Sequence, residues 1–548
     1  MKKVISLLLA LATAVSVLAG CTETPGDTSA DSTAGVTEPS PDTVTVTETE
    51  PETDTETETE TETETEEDTE TYFVPDEFTP VEDPDSFLIM PTLFSSHMVL
   101  QRDRKFYVWG RSNREGAIVR GTINGQVRYT TVQDGKWKLT FTPCPASAEP
   151  TEMLIEDECG NSALFEDVLF GDVWIINGQS NAELTLGQIV PKAGMPEFDD
   201  NEPIRILMQL GSTAMTYSGQ QLKPQPELLS KMWQWKRASQ SDMLASTALG
   251  FFFARHLAAQ SGVPVGVIST AAASAMIQEL MPKEIAEGFG FKAGSTALVA
   301  GYYNTLMHPF VGLQISGMIY FQGESESANN KSAKDYSKHV TAYFNELRAR
   351  FGQDFPIYNV QLCSYTKASE GWLQYLRTLR VSQYTSYLQL DNCTLIPSYD
   401  LGPENGYADY MHSYKKEALA ERIVKAVMAQ QYGVGDANDC LSPEPVSAVL
   451  SADGKTVTVK FKNVGGGLTS TSGGASVAGF SIGTANKTKN CEAEIISADT
   501  VIVHAPDDAK TTMLAYAFEN TVTEKNAQLY SSTGLPALAF MISPDAAQ

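Results

Sequence analysis

The chain has 548 residues, with 39 Lys and Arg against 68 Asp and Glu and a formal net charge of −29. That balance argues against a nucleic-acid partner, and past the N-terminal segment no apolar run is long enough to cross a bilayer. Setting the first 71 residues aside leaves about 475, more than one ordinary domain.

Residues 1–20 read as a lipoprotein signal peptide. Lys2 and Lys3 make a positive start, Val4 to Val17 is mostly apolar, and Leu18-Ala19-Gly20-Cys21 has the small residues and cysteine of a bacterial lipoprotein cleavage site. The expected mature protein begins at a lipidated Cys21 and is exported, anchored to the bacterial cell membrane or cell surface rather than spanning it. Residues 21–71 are expected to form a disordered tether. They include an alternating Thr-Glu tract from Thr55 to Glu66, eighteen acidic residues between Glu23 and Glu70, and no Lys or Arg. Such a segment cannot bury enough apolar surface to offset its ordering entropy. Much of the net charge therefore belongs to the tether, whose like charges extend it to a reach of at least ~40 Å.

Residues 91–170 read as an N-terminal β module. Phe106 to Gly110, Ile118 to Ile123 and Lys136 to Phe141 are short β-branched and aromatic runs divided by Gly, Asn and Asp turns, the pattern of a small sandwich. Over 171–433 apolar strands alternate with amphipathic helices. The predicted strands include Val265 to Thr270, Gly317 to Phe321, Ile357 to Leu362 and Thr394 to Ser398. The predicted helices are Ala248 to Gln260, Ala333 to Phe351 and Ser413 to Gln431. That alternation implies an α/β core with a doubly wound parallel sheet. From 440 to 548 the chain returns to β character, giving a second β-sandwich-like module. Besides Cys21 there are cysteines at 144, 159, 363, 393, 440 and 491. Pairing between neighbours would put one disulfide in each module; the alternative is unpaired, buried thiols. No Cys/His spacing resembles a zinc site and no Gly-rich phosphate loop follows a strand, so no cofactor or metal is expected.

The chemistry concentrates at three strand ends. Val173-Trp174-Ile175-Ile176-Asn177 is a buried-strand run ended by Gly178-Gln179-Ser180-Asn181, a turn that lifts Ser180 to the carboxyl edge of a parallel sheet, where ligands gather. A serine nucleophile needs a base, and there are six histidines. His97 and His504 lie in the β modules, His256 and His339 inside helices, and His308 just before Pro309. His412, in Asp409-Tyr410-Met411-His412, follows the last core strand and precedes the last core helix, so it shares the fold edge of Ser180. Asp409 in that turn can set its carboxylate beside the imidazole. Gln322-Gly323-Glu324-Ser325 ends the strand Gly317 to Phe321, and the Gln322 amide together with the Ser180 N–H could stabilise an oxyanion. Glu324 is assigned no chemical step.

These three segments, in this order and spacing, resemble the sialate O-acetylesterase family of the SGNH-hydrolase superfamily. Phe94 to Arg102 with Val108-Trp109-Gly110, Gly171-Asp172-Val173-Trp174 and Gly534-Leu535-Pro536-Ala537 extend the resemblance over nearly all of the chain after the tether. It implies a flavodoxin-like core that removes acetyl groups from sugars, with Ser180 as nucleophile, His412 as base and Asp409 as its partner. It also places Gln322 where other members of the superfamily use an asparagine in the oxyanion hole. In one place the chain departs from the pattern. Where the family carries a Gly-Gly pair whose backbone joins the oxyanion hole, this chain reads Ala271-Ala272-Ala273-Ser274-Ala275, which puts Ser274 at that wall. A positive φ there is costly without glycine. The expectation is an anchored carbohydrate O-acetylesterase working through an acetyl-serine, with sialic acid as first substrate class and acetylated xylan as second. The alternative is a tethered carbohydrate-binding lipoprotein with a weak or inactive core.

Overall fold

The computed structural model describes residues 72–548 apart from 210–221, 293–297, 366–372, 403–410, 486, 508–510, 524 and 548. The signal peptide, Cys21, the tether and Asp409 therefore lie outside the described residues. The fold is mixed α/β, built on several sheets.

The N-terminal region supplies β1 (Leu88–Ile89), β2 (Val99–Gln101), β3 (Phe106–Ser112), β4 (Ile118–Ile123), β5 (Gln126–Thr131), β6 (Lys136–Phe141) and β7 (Ser147–Asp157). Strands β1, β3 and β6 form one sheet, while β4, β5 and β7 join a larger one through β8 (Ser162–Gly178). β8 changes character along its length. Its first six residues alternate exposed and half-buried beside antiparallel β7, whereas its last eleven are all buried. An antiparallel strand with one wet face alternates, and a parallel strand covered on both faces does not. One strand thus runs through the expected boundary between residues 170 and 171.

The core adds β9 (Ile204–Met208), β10 (Trp235–Lys236), β11 (Val265–Ser269), β12 (Gly317–Phe321), β13 (Ile357–Gln361) and β14 (Cys393–Pro397), in the spatial order β10-β9-β11-β8-β12-β13-β14. All these neighbours pair in parallel except the edge strand β10. Because chain direction across the sheet reverses at β8, right-handed crossovers put helices on both faces. Helix 248–261 packs on 416–431, and 330–351 packs on 376–387. Helix 248–261 starts where the Thr247 side chain accepts from Gly250 N–H and stops at left-handed Gly262. Helix 330–351 is bounded the same way by Asn329 and Gly352.

The C-terminal region holds a five-stranded and a four-stranded sheet. Val457, Val459, Phe461, Ile482, Leu514 and Phe540 fill a hydrophobic cluster separate from the one shared by the N-terminal region and the core. The six described cysteines are all free thiols, so the neighbour-paired disulfides are not formed.

Candidate active site

The reversal at β8 creates a crevice beyond the carboxyl ends of β8, β11 and β12, where an open α/β sheet binds ligand. Ser180 stands there, half-buried, as the first residue of the short helix 180–183. Two glycines allow the turn. Gly178 has φ 138° and a Cβ on it would sit 2.1 Å from the Phe321 carbonyl oxygen; Gly323 has φ 133° and a Cβ would sit 2.4 Å from Leu379. The close approach lets Gln179 N–H donate to Phe321 O at 3.0 Å, tying the ends of β8 and β12 together.

Asn181 joins the parts of the site. It is 1% exposed. Its Nδ2 donates to Glu324 Oε1 at 2.6 Å and to the Met411 carbonyl at 3.2 Å. Its Oδ1 accepts from Ser413 N–H at 3.3 Å and from Lys416 Nζ at 2.8 Å. Both neighbours of His412 are thereby held to the residue that follows Ser180. Burial raises the Glu324 pKa, while the Asn181 amide and the nearby His412 pull it the other way. Glu324 Oε2 has no hydrogen-bond partner among the described residues. A buried carboxylate beside the imidazole is thus present in addition to the expected Asp409.

Gln322 is not where the sequence analysis put it functionally. It has no exposed surface, and its Nε2 donates to Glu326 Oε2 at 2.6 Å, Ala275 O at 3.1 Å and Gln179 Oε1 at 3.2 Å. Its Oε1 accepts from Tyr336 and Tyr320 hydroxyls at 2.7 and 3.1 Å. An amide with two N–H groups and three internal acceptors has none left for an oxyanion. Gln322 braces the turn from below: through Gln179 Oε1, which also accepts from the Gly323 and Ser325 amides at 3.2 and 3.4 Å, it fixes the loop facing Ser180. Glu326 anchors the chain from the other side, accepting from Ile277 N–H at 2.6 Å, and burial pushes its pKa up to about 7.

Ser274 adopts φ 60° on the exposed tip of the loop after β11, the left-handed conformation that glycine would take without strain. Neighbouring contacts impose it. Ala272 N–H donates to Gly178 O at 3.0 Å, Ala273 N–H to Glu183 Oε2 at 2.5 Å, and Ser325 Oγ to Ser274 O at 3.2 Å. No described hydrogen bond uses the backbone N–H of Ser180 or of Ser274. Sequence reasoning missed the positioning work of Gln179, Asn181, Glu183, Glu324 and Glu326. The available signal was the density of carboxylates and amides at Gln322–Glu326, directly after an apolar strand.

Residues 170–429 match the family model described as carbohydrate esterase, sialic acid-specific acetylesterase. The chain is similar to the sialate O-acetylesterases of Pongo abelii, 24% identical over 376 residues covering 62% of this chain and 70% of that protein, and of Homo sapiens, 23% identical with the same coverage. Among solved structures it resembles a carbohydrate acetylesterase from Xanthomonas citri, with a TM-score of 0.71, 26% identity, and coverage of 83% of this chain and 100% of that one.

Proposed function

We propose, from the match of residues 170–429 to the sialic acid-specific acetylesterase family of carbohydrate esterases, that the chain hydrolyses O-acetyl esters on sugars through an acetyl-Ser180 intermediate. Ser180 Oγ attacks the acetyl carbonyl while His412 takes its proton. The sugar oxygen leaves with that proton, His412 then deprotonates a water that attacks the acetyl-serine, and the proton returns from His412 to the departing Ser180 Oγ as acetate is released. Asp409 and Glu324 hold the imidazole and stabilise its protonated form. The tetrahedral oxyanion is stabilised by the Ser180 and Ser274 amides, since a backbone donor survives the replacement of glycine. The observation that carries this reading is the Asn181 clamp, which holds Glu324 and both neighbours of His412 at the serine turn.

In this reading the protein is a serine esterase of the SGNH type, with sialic acid as first substrate class and acetylated xylan as second. Lipidation at Cys21 would hold it at the cell surface; Cys21→Ala should move activity from the membrane to the soluble fraction. The deciding measurement is acetate release by the full-length protein from O-acetylated sialic acid, acetylated xylan and p-nitrophenyl acetate. Ser180→Ala should abolish release, by at least about 10³-fold. A wild-type protein silent on all three substrates would sink the reading.

A further inference from the structure

A second cleft, of about 520 Å³, opens between the N-terminal region and the core. Its volume lies within the roughly 300–1,000 Å³ range of small-molecule sites. One wall is the β3–β6 ladder, where Trp109 pairs with Lys138, Gly110 with Trp137 and Arg111 with Lys136. The opposite wall comes from core segments that include Glu227 and His308. Residues 308–311 lead into β12 from its amino end, whereas the Ser180 crevice lies beyond its carboxyl end. The cleft is therefore on the far side of the sheet from the candidate active site.

Two features of this wall are those of a ligand site. The first is aromatic. Trp109 is half-buried and Trp137 is 3% exposed, packed so closely on Gly110 that a Cβ there would lie 2.5 Å from the indole. Trp137 alternates with the two lysines and so supports the wall from its buried side, leaving Trp109 as the indole on the outward face. The second is charge. The chain as a whole is strongly acidic, yet this cleft brings Arg111, Lys136 and Lys138 together against Glu227. Arg111 pairs with Glu227, which leaves both lysines without a carboxylate partner among the described residues. Lys138 Nζ lies 3.7 Å from the Tyr107 ring centroid, and burial lowers its pKa. Strand alternation puts Lys136, Lys138, Trp109 and Arg111 on one outward face.

We propose that this cleft is a second carbohydrate site, which binds a carboxylated sugar with its ring against Trp109 and its carboxylate at Lys136 and Lys138. An acidic glycan held here would be retained by the protein independently of turnover at Ser180. Neither partner of an exposed lysine–carboxylate pair is worth much alone, so the aromatic wall supplies the area and the lysines supply the selection.

The test uses the full-length protein and two probes free of O-acetyl groups, α2,3-sialyllactose and tri-galacturonate, with lactose as the neutral control. Titration calorimetry should show binding of at least one acidic probe, at least about tenfold tighter than lactose and weakened as salt rises from about 0.05 to 0.5 M. Which probe binds tells a sialic from a uronic acid site. The exposed double variant Lys136→Glu/Lys138→Glu should weaken that binding by about tenfold or more while p-nitrophenyl acetate turnover stays unchanged. The Ser180→Ala variant should bind as the wild type does. Equal affinity for lactose, an unaltered affinity in the double variant, loss of binding in Ser180→Ala, or no binding of either acidic probe up to about 10 mM would each overturn the proposal. Ester turnover is read separately, so the cleft and the esterase can fail independently.

Discussion

The two β regions flank the same catalytic sheet, yet they are attached to it in different ways. The N-terminal region shares a strand with it: β8 leaves an antiparallel sheet and enters the parallel one without a break, and a single hydrophobic cluster runs through both. The C-terminal region has a separate cluster that takes in only Tyr384, Leu395 and Tyr399 of the core, and hydrogen bonds complete the contact. Gln361 exchanges two bonds with Ala539, at 2.8 and 2.9 Å, and the buried Arg380 guanidinium donates to Glu519 O at 2.7 Å. A shared strand and continuous apolar core make two regions one cooperative unit, whereas a narrower seam of a few side chains and hydrogen bonds lets one of them loosen first.

Breaking the shared strand should have the largest effect. Phe170 is 2% exposed and stacks edge-on against Phe106 at the crossing point. Phe170→Ala should cost about 3–5 kcal/mol and lower the N-terminal and catalytic transitions together in a urea titration. Separate midpoints for near-ultraviolet signal and ester turnover would show that the two are independent. Gln361→Ala should cost less, about 1–3 kcal/mol, by leaving the Ala539 N–H unpaired. Limited proteolysis should then cut within residues 440–548 while turnover persists; simultaneous loss would make the seam as cooperative as the shared strand.

Between them, the catalytic edge should carry a pH dependence of its own. Burial raises the Glu326 pKa to about 7, so the protonated form is favoured in the fold. Its contribution to stability is complete below the unfolded value near 4.5 and is lost as pH rises through about 7. Glu326→Gln should flatten the pH dependence of the urea midpoint across that window, and an unchanged slope would assign it to another group. Ser274→Gly should be the smallest effect: relief of a left-handed serine, a gain of up to about 1 kcal/mol with turnover nearly unaltered. A large fall in turnover would mean that the serine side chain, and not its amide, faces the substrate.

Much of this was legible in the residues. The apolar runs ending at Asn177 and Phe321 are strands β8 and β12, and the helix over 248–261 follows its cap and its closing glycine. The strand that joins module to core was not legible, because Gly171 and Asp172 interrupt the apolar run where the module boundary was expected. In the fold Gly171 lies inside β8, where a Cβ would come within 2.0 Å of Pro264 O; it permits a close backbone approach instead of ending a strand. Helix 376–387 was missed because its polar Arg, Thr, Ser and Gln residues hide a buried side that includes Arg380 and Gln383. Gln322 was placed correctly at a strand end, but the direction of its amide depends on Glu326 and Tyr336, which no local pattern relates to it.

The Asn181 clamp also sets an order in time. Its partner carbonyl at Met411 lies 230 residues further along the chain. During synthesis the Ser180 turn emerges early, but the segment around His412 arrives only after six more core strands, β9 to β14, have left the ribosome. Under the proposed mechanism a nascent chain therefore carries an unarmed Ser180 while those 230 residues are added, and competence comes with the docking of the last core helix.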